Sequence, residues 1–396
     1  MNFNDLNVAL SSVSLYKGVL KEKVFTSLLT LLRLPNGTAD YLKAEAYADF
    51  VSALYEEGCD LGEYIENALK CDDNVYVRSF AAGKEIPVVM QEAFFGELES
   101  FSAITEISSD DLLSALGLSS DFPKFKNTKK NFSEIIPETL KNSSKLGYGV
   151  YAKYGMFRIE DAGRLTPILS PDNIRLSSLV GYENERRQVL ENTKGLLLGK
   201  PAANVLLCGD AGTGKSSTVK AVANELKDEG IRLIEVRKDQ LCFLPTVMGE
   251  IADNPLKFII FVDDLSFSPD DDGFGTLKAI LEGSAAAKTS NAVIYATSNR
   301  RHIVKETFSA REGDEIHRRD TIEETISLSA RFGLSILFAK PDKQLYLKIV
   351  RTLAEENGIE VNSELDIKAE AFALSKGGRS ARTAGQFINN ILTVAE

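Results

Sequence analysis

The chain has 396 residues, 44% of them hydrophobic and 26% charged, with a net charge of −11. That length predicts two or three domains, and that composition excludes a largely disordered or collagen-like chain. No apolar run approaches the roughly 20 residues of a membrane helix, and no basic stretch followed by an apolar one opens the chain, so a cytoplasmic protein without a membrane segment is expected.

The four cysteines, Cys59, Cys71, Cys208 and Cys242, are spaced too widely for a zinc knuckle. A disulfide framework is not expected in so large a chain, so buried thiols are predicted. The charge is uneven. Residues 1–120 hold 8 basic and 19 acidic side chains, which is the whole net charge, and the remainder holds 38 of each. An acidic region repels phosphate backbones and suits either a solvated surface or the docking of a basic protein partner.

From Leu6 to Leu118 apolar residues recur near a 3.6-residue period, as at Val24, Leu28, Leu29, Leu31 and Leu32 and again at Phe50, Leu54, Leu61, Ile65 and Leu69. This pattern predicts an acidic all-helical domain of about six helices over residues 1–120. Turns are expected at Pro35–Gly37 and Gly58, with Thr38 the N-cap of the helix through Tyr55. Residues 119–130 mix turn formers with Lys124, Lys126, Lys129 and Lys130 and read as a linker. A helix over Phe132–Ser144 and two short strands, Gly155–Ile159 and Arg164–Ile168, complete a connecting region over 121–175, the strands bracing the domain C-terminal to them.

From about Leu179 short apolar runs alternate with helical stretches: Val205–Cys208, Leu233–Val236, Phe258–Val262, Val293–Ala296 and Leu334–Phe338. That alternation predicts an α/β domain over 176–340, a five-stranded parallel sheet covered on both faces. Residues 341–396 carry three helical segments and form a small helical lid.

Gly209-Asp210-Ala211-Gly212-Thr213-Gly214-Lys215-Ser216 follows an apolar strand and opens a helix that begins with Ser217. This is the phosphate-binding P-loop pattern in the context it requires. Its glycines let successive backbone N–H groups face phosphate oxygens, and the helix N-terminus adds partial positive charge. Lys215 would reach the β- and γ-phosphates of ATP, and Ser216 would ligate Mg2+. The strand Phe258–Val262 ends in Asp263 and Asp264, two carboxylates where a buried strand has no structural need of them. In a P-loop protein the first holds the metal and the second polarises the attacking water. The acidic run Asp270–Asp272 lacks the ligand spacing of a calcium loop and reads as solvated.

Over Leu179–Glu396 these motifs resemble the AAA+ ATPases. Leu179–Glu183 is similar to the segment whose backbone lies against adenine in that family, which implies a base contact at Gly181 and Tyr182. Ala296–Arg300 is similar to sensor 1 and nominates Asn299 to position water. Ser329–Gly333 resembles the segment carrying the arginine finger, which implies Arg331, and Gly378–Ala384 resembles sensor 2, which implies Arg382, with Arg379 in reserve. More narrowly, Asp263–Phe267, Leu281–Gly283, Tyr295–His302 and Phe338–Asp342 resemble one bacterial family of AAA+ proteins designated only as a domain of unknown function.

The resemblance implies an ATPase using Mg2+ and acting as a homo-oligomer, because an arginine finger serves the neighbouring subunit. Two departures matter. Asp264 stands where most AAA+ proteins have Glu, implying slow hydrolysis, and Arg237–Leu241 lacks the aromatic-hydrophobic-glycine triplet of protein-threading rings. His302, His317, Arg300, Arg301, Arg318 and Arg319 lie between sensor 1 and the finger and would meet a neighbouring subunit or nucleic acid. Three functions are expected to compete: remodelling of a protein partner held by residues 1–120, a nucleic-acid ATPase resembling helicase loaders, and a nucleotide-gated switch.

Overall fold

A computed structural model describes residues 3–35, 37–265, 272–282, 290–299 and 330–394. Asp270, Asp271, Arg300, Arg301, His302, His317, Arg318 and Arg319 lie outside the described residues. The chain forms two compact units, one reaching Lys153 and including Asp253–Pro255, the other holding the remainder.

The first unit is helical: α1 (Phe3–Ser12), α2 (Lys23–Leu32), α3 (Asp40–Glu56), α4 (Leu61–Lys70), α5 (Val75–Ala81), α6 (Val88–Ile104), α7 (Ser109–Leu116), α8 (Phe132–Lys141), α9 (Ser143–Leu146) and α10 (Val150–Lys153). Among the described residues seven α-helices precede residue 120, where about six were expected. The spacing that announced α2 places Val24, Phe25, Leu28, Leu29, Leu31 and Leu32 in its buried face. They join an aromatic core in which Phe101 meets Phe25 and Tyr16 edge-on, at 5.7 and 5.9 Å between ring centres. Thr38 is not an N-cap. Helix α3 starts at Asp40 behind Ala39, and the Thr38 hydroxyl donates instead to the Pro35 carbonyl at 2.7 Å.

Residues 119–130 are not a free linker. Phe125 is buried and packs edge-on against Phe50 at 5.3 Å. Asp60, which caps α4 by accepting from Gly62 and Glu63, also accepts from the N–H and hydroxyl of Thr128 at 2.9 and 2.6 Å. Burial pushes the Asp60 carboxyl up, but these hydrogen bonds and that of Lys126 outweigh it and hold the pKa well below the usual carboxylate range. The four lysines are each paired: Lys124 with Asp110, Lys126 with Asp60, Lys129 with Glu106, and Lys130 with Glu63 and Glu66. The apolar residues of the segment, which its turn formers and lysines obscure, hold it to the helical core.

The second unit is an α/β domain with a helical lid. Its elements are β1 (Met156–Ile159), β2 (Leu165–Pro167), α11 (Glu183–Leu197), β3 (Val205–Gly209), α12 (Lys215–Glu225), β4 (Ile231–Val236), α13 (Leu244–Ile251), β5 (Lys257–Val262), α14 (Asp272–Glu282), β6 (Ala292–Ser298) and β7 (Leu334–Phe338), then α15 (Lys343–Glu356), α16 (Ser363–Ser375) and α17 (Ala381–Val394). Among the described residues the sheet has seven strands in the order β2-β1-β4-β5-β6-β3-β7. All neighbours are parallel except β1 and β2. Five strands were expected; the other two are the hairpin, which joins the sheet itself, with Met156, Phe157 and Arg158 in register with Leu233, Ile234 and Glu235. Met156, Phe157 and Ile159 are all buried there, which a hairpin outside the sheet would not achieve.

Val205, Leu207, Val219, Val222, Ile231 and Ile259 lie in one core, and the lid has its own around Tyr346, Val350, Ala369 and Phe387. Of the cysteines only Cys208 is buried; Cys59 and Cys242 are exposed and Cys71 is half-buried, each a free thiol. No helix among the described residues is long and apolar enough to cross a membrane.

Candidate functional site

The strand order builds the site. Because β6 lies between β5 and β3, its C-terminal residues separate the two carboxylates after β5 from the loop after β3. Leu207 is in register with Thr297 and Cys208 with Ser298 on one side, and Val262 with Ala296 on the other. The crevice beyond the carboxyl ends of parallel strands is where open α/β sheets bind ligands.

The loop from Gly209 to Gly214 needs its glycines. Gly209 has φ +139°, and a Cβ there would stand 2.0 Å from the Phe338 carbonyl oxygen. Gly212 has φ +77° and faces the lid, where a Cβ would come within 2.9 Å of that of Arg382. The Arg382 N–H donates to the Gly212 carbonyl at 3.2 Å, tying α17 to the loop. Asp210 is exposed, and its carbonyl accepts from the Thr213 hydroxyl at 2.9 Å.

Lys215 is only 5% exposed. Its ammonium donates to the carbonyls of Gly209 and Asp210 and to Asn299 Oδ1, at 2.8, 2.7 and 3.0 Å. Burial lowers its pKa below the usual lysine value, while Asp210, Asp263 and Asp264 oppose the shift. The Ser216 hydroxyl donates to Asp263 Oδ1 at 2.6 Å, and the Thr297 hydroxyl donates to the same oxygen. Asp264 has φ +51°, a conformation that Asp tolerates better than most residues. Its N–H donates to Thr297 Oγ1 at 2.9 Å, and its carboxylate accepts from Asn299 Nδ2 at 2.7 Å.

These groups line a cavity of about 520 Å³ shared by Ala211, Gly212, Gly214, Lys215, Ser216 and Ser217 of the loop, by Asp263, Asp264 and Asn299, and by Arg382 of the lid. Arg379 is instead bound to Glu370 within the lid, at 2.9 and 2.6 Å. Oxygen donors on Ser216 and Asp263, one of them a carboxylate, suit a hard divalent cation such as Mg2+. A second, largely apolar pocket of about 260 Å³ lies beside the first, lined among others by Val180, Gly181, Tyr182, Thr213, Phe338 and Ile349. Tyr182 is left-handed at φ +57°, and its hydroxyl donates to the Ala339 carbonyl at 2.6 Å.

Arg331 does not line either cavity; it forms an ion pair with Glu282 at the end of α14. Two residues escaped sequence reasoning. Thr297, inside the Ala296–Arg300 motif, touches both carboxylate residues, and only its place on the strand beside them could have marked it. Arg186, on α11, binds the backbone carbonyls of Leu179 and Gly181 and carried no local signal.

The sheet order, the loop and the helical lid define the P-loop class with the AAA+ fold. The chain belongs to the family described as "Protein of unknown function (DUF815)", whose family model matches residues 152–394. It is also similar to the 26S proteasome regulatory subunit 4 homolog of Dictyostelium discoideum, with 25% identity over 186 residues, 45% of this chain and 39% of that protein. The chain thus spans about two fifths of the length of that curated relative. Among solved structures, a RuvB mutant from Thermotoga maritima aligns with a TM-score of 0.39 and 15% identity over 56% of this chain and 66% of that one. AMPPCP-bound DnaA from Aquifex aeolicus aligns with a TM-score of 0.36 and 17% identity over 55% and 64%.

Proposed function

We propose that this chain binds ATP with Mg2+ and hydrolyses it to ADP and phosphate. The observation that carries this reading is the convergence of Lys215, Ser216, Asp263, Asp264 and Asn299 on one cavity, beside an apolar pocket wide enough for a base. The phosphates lie along Gly209–Ser217, with Lys215 turning from the loop carbonyls to the β- and γ-phosphates. Ser216 and Asp263 hold the metal, which supplies charge neutralisation on the phosphates. Asp264 and Asn299 orient a water whose oxygen attacks the γ-phosphorus as the bond to the β-bridging oxygen breaks, Asp264 accepting the water proton. Gly181 and Tyr182 lie against adenine. Arg382 approaches the γ-phosphate from the lid of the same subunit, and Arg331 serves the site of the neighbour, which makes the working form a homo-oligomer.

The coupled work is remodelling or loading of a macromolecular partner, recognised as a protein through the acidic helical unit. A nucleic-acid partner on the lysines of 119–130 is disfavoured, since all four are already paired with carboxylates. Slow, switch-like turnover is a second reading, favoured by Asp264, whose short carboxylate is occupied by Asn299. ATP titration and phosphate release, with and without Mg2+, test the proposal. Absence of nucleotide binding by the intact chain would refute it.

A further inference from the structure

One residue of the neighbouring strand holds the chain as it leaves β5. The parallel ladder between β5 and β6 ends with Val262 against Ala296. One position further along β6, Thr297 bonds to each of the three residues that follow Val262. Its hydroxyl donates to Asp263 Oδ1 and accepts from the Asp264 N–H at 2.9 Å, and its carbonyl accepts from the Leu265 N–H at 2.7 Å. Thr297 is itself only 2% exposed.

The direction of these bonds is fixed by chemistry. An N–H can only donate and an ionised carboxylate can only accept, so the hydroxyl between them must receive from Asp264 and give its one proton to Asp263. Asp263 Oδ1 also receives the Ser216 hydroxyl at 2.6 Å and the Asp264 N–H at 3.1 Å. Three donors on one oxygen fix the rotation of the Asp263 carboxylate. Asp264 is left-handed at φ +51°, a sparsely populated state that persists only where the surroundings hold it. Thr297 holds its backbone N–H and Asn299 its carboxylate. The two adjacent carboxylates are thereby oriented with respect to each other through one hydroxyl.

We propose that Thr297 is a positioning residue shared by the metal carboxylate and the base: its hydroxyl sets the rotation of Asp263 and, through the backbone, the placement of Asp264. This rests on the reading of Asp263 as a ligand of Mg2+ and of Asp264 as the group that accepts the water proton. Thr297 acts only through these two residues. Groups that hydrogen-bond a ligating carboxylate from behind tune its affinity for the metal, and their loss typically costs about 10- to 100-fold.

Thr297→Val keeps the shape of the side chain and removes the hydroxyl. In the full chain with ADP bound, Mn2+ affinity read by electron paramagnetic resonance should fall by about 10- to 100-fold. Phosphate release at saturating metal should slow by about tenfold or more, since Asp264 loses the tie on its backbone. ATP affinity in excess EDTA, which involves neither aspartate, should stay within about twofold of wild type, and Thr297→Ser, which restores the hydroxyl, should bring all three readouts to within about threefold. Unchanged Mn2+ affinity in Thr297→Val overturns the proposal, as does unchanged turnover at saturating metal, because the hold would then not be shared. An equal loss of ATP affinity in EDTA, or no rescue by Thr297→Ser, also overturns it and leaves Thr297 a structural residue of the strand end. Where thermal melting shows that Thr297→Val is unfolded, the same readouts on Thr297→Cys, whose thiol is a weak donor, decide. Failure of the underlying reading shows instead in the wild-type chain, which would then bind no ATP, or bind Mn2+ no more tightly with ADP than without it.

Discussion

The side-chain amide of Asn299 joins Lys215 to Asp264: its oxygen accepts from the lysine ammonium at 3.0 Å and its nitrogen donates to the carboxylate at 2.7 Å. The cation proposed to hold phosphate and the base proposed to hold water are thus linked through one residue at the end of β6. Asn299→Ala should slow turnover by roughly 10- to 100-fold, because Asp264 loses its orienting partner, with ATP affinity changed by less than about threefold. Steady-state phosphate release and nucleotide titration read the two quantities apart. Equal losses in both would place Asn299 in binding rather than in water positioning.

Lys215→Ala should weaken ATP binding by about 100-fold or more, since it removes the buried ammonium that meets the phosphate charge. Asp264→Asn should retain ATP and slow hydrolysis by roughly 10²- to 10⁴-fold, as the amide fits but accepts no proton. Asp263→Asn should instead raise the Mg2+ concentration needed for half-maximal activity. Fluorescence titration and a magnesium dependence distinguish the three, and two carboxylate variants that hydrolyse like wild type would remove the strand end from the mechanism.

Arg331 is paired with Glu282 and lines neither cavity; the role proposed for it is service to a neighbour. Arg331→Ala should bind ATP normally yet turn over about 10³- to 10⁵-fold more slowly, the range of an arginine finger. Mixed assemblies of Arg331→Ala and Lys215→Ala subunits should recover part of the activity, because the first still binds ATP and the second still offers its arginine. Co-assembly without recovery, seen by mixing affinity-tagged subunits, would return Arg331 to a structural ion pair.

The helical unit carries a pH dependence of its own. Burial, then the neighbouring charges of Asp73 and Glu22, push the Asp72 carboxyl up to about 6, against the pull of Asn74 and Arg78. The native state therefore binds more protons than the unfolded state between the ordinary aspartate value of 3.8 and about 6. That contribution to stability is full below the lower value and is lost as pH rises through the upper one. Asp72→Asn should then stabilise the chain at pH 7.5 by about 1–2 kcal/mol, after discounting for partial exposure, and by almost nothing at pH 4. Denaturant unfolding at the two pH values checks it; an equal gain at both would mean that Asp72 does not titrate in this window.

A cut after residue 120 should fail where a cut after residue 153 succeeds. Phe125, Phe132, Ile136, Leu140 and Tyr148 belong to the helical core, so a fragment of residues 1–120 loses five buried side chains, the phenylalanine and aliphatic ones each worth about 1.5–3 kcal/mol. Residues 1–153 should melt cooperatively and 1–120 should not, by circular dichroism, and residues 154–396 should bind ATP alone. A 1–120 fragment as stable as 1–153 would show that those contacts are dispensable.

The sequence by itself determined what is encoded in contiguous residues. Gly209–Ser216 is a loop whose backbone course follows from its own glycines, and the run Phe258–Val262 ending in two carboxylates declares a buried strand with a charged tip. The alternation of apolar runs with helical stretches carried the α/β class for the same reason, since periodicity is local. Tertiary structure decided which strand lies beside which, and with it everything that depends on register. Placing β6 between β5 and β3 brings Thr297 to Asp263 and Asn299 to both Lys215 and Asp264, residues 34 to 84 positions apart in the chain. The same non-local choice drew Met156–Ile159 into the sheet and paired the lysines of 119–130 with acids far away in the chain. It also set Arg186 against the carbonyls of Leu179 and Gly181. A guanidinium or an ammonium carries no mark in the sequence of the oxygen it will meet; that partner is fixed only when packing brings the two together and excludes the water that would otherwise compete.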